Sequence, residues 1–357
     1  MKIISLLKKF LPHKKNDKNH YGKFIGSFNL IRLITWNMFH PFRLINRFRW
    51  KVLFSNKNLK IRKYKKKISQ LDDVDNKLFN KLGLFIDNGG LLINDYFSKE
   101  RIENFLNEYR DLIDGAKKSL ETENAINSNG RKLLYNYKII KLPLSQALVD
   151  LWLDDHIIQF LEHFLGRKVY AREHPRLTYV RSYFDGVNSR DDHAGNYKDY
   201  DTSGPFFWHV DHTAGLVTLH ILFEDTDLNS THMQYLAGSN KYLNTRDLYS
   251  DETVSNFKNE PSDCTGKKGT IYFHSGNTLH RVVGRKGSHR LGILLSFSPG
   301  SGIEFDCKKI STAFSGKFKI ESLSKKKREI LKGIYPLSGM PDLVDGNLSK
   351  PKFNEGS

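Results

Sequence analysis

Apolar residues recur at helical spacing in two regions of the chain. Between Ile102 and Ile113 they fall at i, i+3, i+4 and i+7, which predicts an amphipathic helix. Ser98 suits the N-cap of this helix, and Gly115 is its expected stop. The second helical region spans roughly residues 144–165 and is followed by a glycine that suits a C-terminal cap.

Short apolar runs separated by turn signals predict β-strands elsewhere. Residues 84–94 predict a strand, a glycine turn and a second strand, and strand-like runs follow from Val169 onward. The predicted strands of this second part cover residues 169–171, 177–184, 206–212, 216–223, 269–274 and 291–297. Their number and spacing indicate an antiparallel sandwich or barrel such as a jelly roll. The predicted fold class is therefore α+β and mainly β.

The net charge of +18 is concentrated at the N-terminus. The first 68 residues hold 19 Lys and Arg and a single acid, Asp17, whereas the rest of the chain holds 38 basic and 38 acidic residues. Trp, Phe and Leu are interleaved with these basic residues, as is typical of a helix lying on an anionic membrane face. Packing of the apolar residues against the body or another copy is an alternative. Nucleic-acid binding is the third and least favoured.

These differences in composition divide the chain into three parts. We expect a basic amphipathic arm (residues 1–75), a folded body (76–316) and a terminal helix with a flexible tail (317–357). No stretch of about 18 uncharged apolar residues occurs, so no membrane-spanning helix is predicted. The two cysteines form no CxxC pair, which argues against a cysteine-based zinc site. We expect a cytoplasmic protein with peripheral contact at the inner face of a membrane through residues 1–68.

One short motif, Trp208-His209-Val-Asp211, carries most of the candidate chemistry. Residues i and i+2 of a strand point to the same face, so His209 and Asp211 can reach one ion. His280 follows 71 residues later, close to another predicted strand. Two imidazoles and one carboxylate are the ligand set of non-haem iron(II) oxygenases. Arg290 begins the last apolar strand, where its guanidinium can form a bidentate salt bridge with a carboxylate bound beside the metal.

Several segments together resemble the phytanoyl-CoA dioxygenase family, a branch of the iron(II)- and 2-oxoglutarate-dependent oxygenases. The matching segments are Leu82–Glu100, Trp208–Asp211, Tyr235–Asn240 and Lys268–Arg281. The third segment departs from the family pattern at Ala237 and Asn240, and the fourth has Thr270 in place of an acid. The resemblance covers residues 78–300 and implies a double-stranded β-helix (jelly roll) core with N-terminal helices packed outside it.

The resemblance also implies a set of cofactors and roles. Iron(II), 2-oxoglutarate and O2 are the expected requirements, and His209, Asp211 and His280 match the iron ligands. Arg290 matches the residue that pairs with the far carboxylate of 2-oxoglutarate. Some members use a serine two positions after the second histidine to help hold this cosubstrate, and Val282 stands there in this chain. Further candidates for cofactor binding are Thr218, Tyr179, Arg181 and Tyr183.

The implied activity is hydroxylation of a C–H bond in an unknown small or lipid- or sugar-linked substrate, with release of succinate and CO2. Asp211 favours hydroxylation over halogenation, because halogenases of the family replace this carboxylate by a small residue that admits halide. His220 and His274 are interpreted as core, pocket or supporting residues rather than as ligands. The competing hypothesis is a catalytically inactive jelly roll whose basic arm binds a membrane surface or a polyanion.

Overall fold

Two antiparallel β-sheets form the body of the protein in the computed structural model. The structure describes residues 61, 63, 64, 66, 77, 78, 80–121, 135–172, 175–183, 208–211, 216–241, 248–249, 254–298, 318 and 322–331. The helices are α1 (Leu82–Asn88), α2 (Lys99–Glu108), α3 (Arg110–Glu121), α4 (Gln146–Trp152), α5 (Asp155–Leu165) and α6 (Lys325–Leu331). The strands are β1 (Gly90–Ile93), β2 (Tyr135–Lys141), β3 (Tyr170–Ala171), β4 (Arg176–Ser182), β5 (Trp208–His209), β6 (Val217–Leu222), β7 (His232–Leu236), β8 (Leu248–Tyr249), β9 (Pro261–Cys264), β10 (Ile271–Ser275), β11 (His280–Val283) and β12 (His289–Ser298).

The order of the strands is that of a double-stranded β-helix. The larger sheet has the order β1-β10-β6-β12-β4-β2, and β3 pairs with the far end of β12. The smaller sheet has the order β8-β5-β11-β7-β9. The chain passes back and forth between them, so that β4, β6, β10 and β12 lie in one sheet and β5, β7, β9 and β11 in the other. This architecture confirms the predicted jelly roll.

The outer face of the larger sheet is apolar and carries the N-terminal helices. Phe85 of α1 packs with its ring centroid 5.7 Å from that of Phe273 on β10 and 4.2 Å from that of Phe164 on α5. Leu219 and Ile293 of the same sheet belong to this buried cluster. Side chains alternate between the two faces of a strand, so these odd-numbered positions leave the even-numbered ones to line the inside of the jelly roll.

The first predicted strand is wrong, because residues 82–88 form helix α1. Leu82, Phe85 and Ile86 are buried at i, i+3 and i+4, whereas Leu84 is 46% exposed, which is the pattern of an amphipathic helix. Gly89 then takes a left-handed conformation with φ of 69° and ends the helix. The run of apolar residues is too short for its periodicity to separate a helix from a strand.

Gly115 is likewise not a helix stop, because α3 continues through it to Glu121. Ser98 is the N-cap of α2, as predicted, and its hydroxyl accepts a hydrogen bond from the backbone N–H of Arg101. Gly166 caps α5 with φ of 74°. Strands β2, β7, β8, β9 and β11 were not among the predicted strands.

Several expectations fall on residues that the structure does not describe. They include almost all of the basic arm and the C-terminal tail. They also include residues 185–204, whose Asp, Asn, Ser and Gly content predicts a long loop. Among the residues that are described, no helix combines the length and the apolar composition that crossing a bilayer requires.

Candidate metal centre

The smaller sheet brings the three candidate ligands together. His209 ends β5, and Asp211 lies two residues further on. His280 begins β11, which pairs antiparallel with β5 so that His280 and His209 are direct cross-strand partners. Their ring centroids lie 4.2 Å apart. Residues 71 positions apart in sequence thus become neighbours through a single strand pairing.

The donor atoms of these residues converge on one point. One donor atom from each of His209, Asp211 and His280 lies within 4.8 Å of the other two, and the described residues contain no other such group of three. His280 Nε2 is 3.7 Å from Asp211 Oδ1. The Nδ1–H of His280 donates to the carbonyl oxygen of Thr278 at 2.9 Å, which directs Nε2 towards the carboxylate. Thr218 Oγ1 donates to Asp211 Oδ2 at 3.4 Å.

The electrostatics of the three residues suit a divalent cation. Burial lowers the pKa of His280 to about 4, an effect that His274 reinforces and Asp211 partly opposes, so His280 is neutral at pH 7. Burial alone would raise the pKa of Asp211, but the neighbouring His280 and His274 outweigh this effect and lower it. A neutral imidazole and an ionised carboxylate are the forms that bind metals, so the donor set fits iron(II).

A second pair of histidines supports this centre from the larger sheet. His274 Nδ1 lies 3.9 Å from Asp211 Oδ2, and His274 Nε2 lies 3.3 Å from His220 Nε2. Burial lowers the pKa of both imidazoles, so both are neutral at pH 7. His220 in turn stacks on the ring of Tyr272, with centroids 4.3 Å apart and planes 10° apart. His220 and His274 line the cavity that contains the candidate ligands, and Tyr272 packs against His220.

Arg290 projects into the same cavity from β12. Its side chain is only 5% exposed, and its Nη1 donates to the hydroxyl oxygen of Tyr272 at 3.2 Å. The cavity has a volume of about 470 Å³. Its lining comprises Tyr137, Ile139, Arg172, Arg176, Thr178, Val180, His209, Asp211, Leu216, Thr218, His220, Met233, His274, His280, Val282, Arg290, Leu294 and Ser296. A buried arginine therefore shares one cavity with the three metal-binding candidates.

The other candidates for cofactor binding are distributed differently. Thr218 lines the cavity beside Asp211, whereas Tyr179 lies in the hydrophobic cluster on the outer face of the larger sheet. The guanidinium carbon of Arg181 lies 5.9 Å from the ring centroid of Tyr183, and neither residue lines the cavity.

The reason for this distribution is the alternation of β4. Arg176, Thr178 and Val180 point into the cavity, so the odd-numbered residues of the strand point away from it. Three lining residues were not predicted from the sequence, namely Arg172, Arg176 and Thr178, and neither was Tyr272, which contacts Arg290. The apolar residue Leu177 shows which face of β4 turns outward, because it must pack in the cluster that contains the helices.

Comparison with known protein families decides the family. The family model described as Phytanoyl-CoA dioxygenase (PhyH) matches residues 85–286, which is more than half of the chain. The chain belongs to the phytanoyl-CoA dioxygenase family. The resemblance seen in the sequence is thereby confirmed, and the protein is a non-haem iron oxygenase that requires iron(II), 2-oxoglutarate and O2. No curated protein matches the chain in sequence.

Solved structures similar to this phytanoyl-CoA dioxygenase family member share little sequence with it. The non-heme alpha ketoglutarate dependent epimerase SnoN from nogalamycin biosynthesis is 15% identical, with 62% of this chain and 83% of SnoN covered and a TM-score of 0.43. EctD from S. alaskensis with bound Fe is 16% identical, with coverage of 64% and 79% and a TM-score of 0.42. AviO1 from Streptomyces viridochromogenes Tue57 is 15% identical, with coverage of 65% and 98% and a TM-score of 0.43.

Proposed function

We propose that His209, Asp211 and His280 hold iron(II) and that the protein hydroxylates a C–H bond of an organic substrate. The observation that carries this proposal is the convergence of the three donor atoms within 4.8 Å in a cavity that also contains Arg290. Two imidazoles and one carboxylate occupy one side of an ion and leave positions open for a cosubstrate and oxygen. The family to which the chain belongs supports the same chemistry.

Arg290 is proposed to anchor the far carboxylate of 2-oxoglutarate. Its guanidinium is buried, and the hydroxyl of Tyr272 lies beside it at 3.2 Å, so a carboxylate here meets two polar groups. Val282 occupies the position at which some relatives supply a serine, and it lines the cavity without a hydroxyl. Tyr272 is the group that we propose takes over this contact. His220, stacked on the Tyr272 ring, keeps that ring in place.

Thr218 and Thr278 orient two of the proposed ligands, and Asp211 itself excludes a halide from the metal. When bound, iron(II) with 2-oxoglutarate and O2 supplies the oxidising chemistry that places a hydroxyl on the substrate, with succinate and CO2 as co-products. Thr218 and the Thr278 carbonyl fix the orientation of Asp211 and His280 through hydrogen bonds. The Asp211 carboxylate occupies the position that a halide needs in halogenases of the family, so hydroxylation is favoured over halogenation.

The substrate is proposed to be a small molecule or the reactive end of a lipid- or sugar-linked one. A cavity of about 470 Å³ that must also admit 2-oxoglutarate leaves room for a small group rather than a folded partner. The polar segment 185–204 and the segment 242–265, which contains β8 and β9, are proposed to shape specificity, because segments that connect core strands vary on a fold whose core is fixed.

Turnover of 2-oxoglutarate tests the proposed function. We expect purified protein with iron(II), ascorbate and 2-oxoglutarate to release succinate while consuming O2, even slowly and without the true substrate. His209→Ala removes one of three ligands and should abolish this turnover, while His156→Ala on helix α5 should leave it unchanged. Equal turnover in wild type and His209→Ala would contradict the proposal. Folded wild-type protein that shows no turnover would favour the alternative of an inactive jelly roll that acts through its basic arm.

Peripheral membrane contact through residues 1–68 is a second proposal, independent of the first. It rests on the charge of this segment, with 19 basic residues and one acid, and on the aromatic and aliphatic residues between them. Sedimentation with vesicles that contain anionic lipids, with and without residues 1–68, tests it. Sedimentation that depends on the arm and falls at high salt supports the proposal. Equal sedimentation of both proteins would contradict it.

A further inference from the structure

Arg172 and Arg176 line the cavity on the side away from His220 and Tyr272. Neither arginine is a proposed ligand of iron(II) or 2-oxoglutarate. Arg176 lies on β4, and Arg172 follows β3, where its backbone N–H donates to the Ser296 carbonyl at 2.9 Å. The order β10-β6-β12-β4 separates the backbones of Tyr272 and Arg176 by three strand spacings, about 14 Å. Arg290 extends its guanidinium towards Tyr272. Arg290 therefore lies towards one end of the cavity, and Arg172 and Arg176 lie towards the other.

The charges of the described lining are unbalanced in favour of cations. Arg172, Arg176 and Arg290 carry positive charge, whereas Asp211 is the one carboxylate among the described lining residues. Iron(II) and doubly charged 2-oxoglutarate cancel each other, and Arg290 and Asp211 do the same. With both cofactors bound, the charges of the described lining residues and the cofactors sum to about +2, and Arg172 and Arg176 contribute this positive balance at the substrate end. Such an excess in a partly enclosed space attracts anions and repels cations.

Both arginines share the cavity with the metal centre. Arg172 and Arg176 line the same space as Asp211 and His280. A molecule bound in this cavity can therefore contact the two guanidinium groups and the metal centre at once.

The same end of the cavity is open and partly apolar. Tyr137 and Ile139 on the edge strand β2 line the cavity, yet they are 46% and 42% exposed. Each faces the cavity next to a residue of β4, since Tyr137 pairs with Val180 and Ile139 pairs with Thr178. Exposed large side chains at the rim of a cavity suit contact with the apolar part of a ligand.

We propose that the substrate carries a carboxylate or phosphate group that Arg172 and Arg176 bind, with its apolar part against Tyr137 and Ile139. This inference rests on the proposed oxygenase function and adds the chemical class of the substrate. Guanidinium groups bind such oxyanions through paired hydrogen bonds, which fixes the orientation of the bound molecule. Both arginines also have interactions within the protein, and the substrate anion joins or replaces these. The target C–H bond is thereby held at a fixed distance from the anionic group.

The test uses the full-length protein with iron(II) and saturating 2-oxoglutarate under anaerobic conditions. The probes are hexyl phosphate and hexanoate, with hexanol and hexylamine as neutral and cationic controls of equal chain length. Calorimetry measures the binding of each probe. The visible charge-transfer band of the iron–2-oxoglutarate chelate reports in the same samples whether the cosubstrate stays in place.

We expect at least one anionic probe to bind saturably, about tenfold or more tightly than hexanol, with the band retained. Preference for hexyl phosphate indicates a phosphoester substrate, and preference for hexanoate indicates a carboxylate. The proposal would be overturned if neither hexyl phosphate nor hexanoate bound saturably, or if hexanol bound as tightly as the anions. Loss of the band on adding the anions would also overturn it. A wild-type protein that never forms the band would instead contradict the oxygenase function, while calorimetry still reports anion binding.

Substitutions assign the binding to the two arginines. Arg172→Gln and Arg176→Gln should each weaken binding of the preferred anion by about tenfold, with the affinity for 2-oxoglutarate changed by less than about twofold. Arg285→Gln, in the turn between β11 and β12, is the matched control and should bind as wild type does. If a glutamine variant does not fold, Arg172→Lys and Arg176→Lys keep the charge and should show a smaller loss. Anion binding that is unchanged in these variants would overturn the proposal.

Discussion

The two ends of the cavity differ in how firmly the fold holds them. At the inner end, Tyr272 and Arg290 are 1% and 5% exposed, and His220 stacks on the tyrosine ring. At the opening, Tyr137 and Ile139 lie on β2, an edge strand whose one neighbour among the described strands of the sheet is β4. The groups proposed to hold 2-oxoglutarate are thus buried in the interior of the sheet. The groups proposed to meet the substrate lie where the sheet ends.

This difference has a physical cause in the sheet itself. A central strand has neighbours on both sides, so its side chains are fixed by cross-strand packing and by burial. An edge strand has one neighbour, and substitutions there disturb less of the surrounding structure. Cofactor binding is therefore expected to tolerate little change, and the substrate end is expected to tolerate more. The largest effects should come from the inner end.

Arg290→Gln should have the largest effect on 2-oxoglutarate. The substitution removes a buried charge-assisted hydrogen bond to the far carboxylate, so the Kd for 2-oxoglutarate should rise by about 100-fold. Anaerobic titration of the iron-loaded protein measures this Kd. Arg285→Gln is the control and should not change it. An unchanged Kd in Arg290→Gln would show that the cosubstrate carboxylate binds elsewhere.

Tyr272→Phe should have an intermediate effect. The substitution keeps the ring and its stacking on His220 but removes the hydroxyl that accepts from Arg290 at 3.2 Å. Because a single buried hydrogen-bonding group disappears, we expect the Kd for 2-oxoglutarate to rise by about tenfold. The same titration measures it, and a thermal unfolding curve checks that the fold is intact. A Kd equal to that of wild type would remove Tyr272 from the cosubstrate site.

Tyr137→Ser and Ile139→Ser at the opening should have the smallest effects on the cofactors. Because both side chains are largely exposed, at 46% and 42%, we expect the free energy of unfolding to change by only about 0.5 kcal/mol. The affinities for iron(II) and 2-oxoglutarate should stay at the wild-type values. Equilibrium unfolding in urea and the anaerobic titration measure these quantities. If Tyr137→Ser or Ile139→Ser lowered the affinity for 2-oxoglutarate as much as Arg290→Gln does, the predicted difference between the two ends of the cavity would be contradicted.

Much of the metal centre was visible in the sequence, because its parts are local or tied to strong patterns. The two-residue spacing of His209 and Asp211 has a fixed meaning on a strand. Arg290 begins an apolar run that predicts a strand, and His280 lies a short distance after the predicted strand 269–274. The jelly roll followed from the number of short strands and from the family resemblance.

The rest of the cavity was harder to predict, because it depends on which face of each strand turns inward. On β4 the predicted candidates were Tyr179 and Arg181, whereas Arg176 and Thr178 turn into the cavity. If the alternation of a strand is assigned one residue out of step, its inward and outward faces are exchanged. The polarity of the residues alone does not show which of them face the cavity. Helix α1 posed a similar problem, since a short apolar run is compatible with either period. Strand pairing and helix packing decide both cases.

The anaerobic addition of iron(II) and then 2-oxoglutarate to metal-free protein tests the central claim most directly. We expect a visible charge-transfer band in wild type, no band in His209→Ala and a band at much higher 2-oxoglutarate concentration in Arg290→Gln. A folded wild-type protein that forms no band, or a band of equal strength in His209→Ala, would contradict the assignment of His209, Asp211 and His280 as the iron ligands.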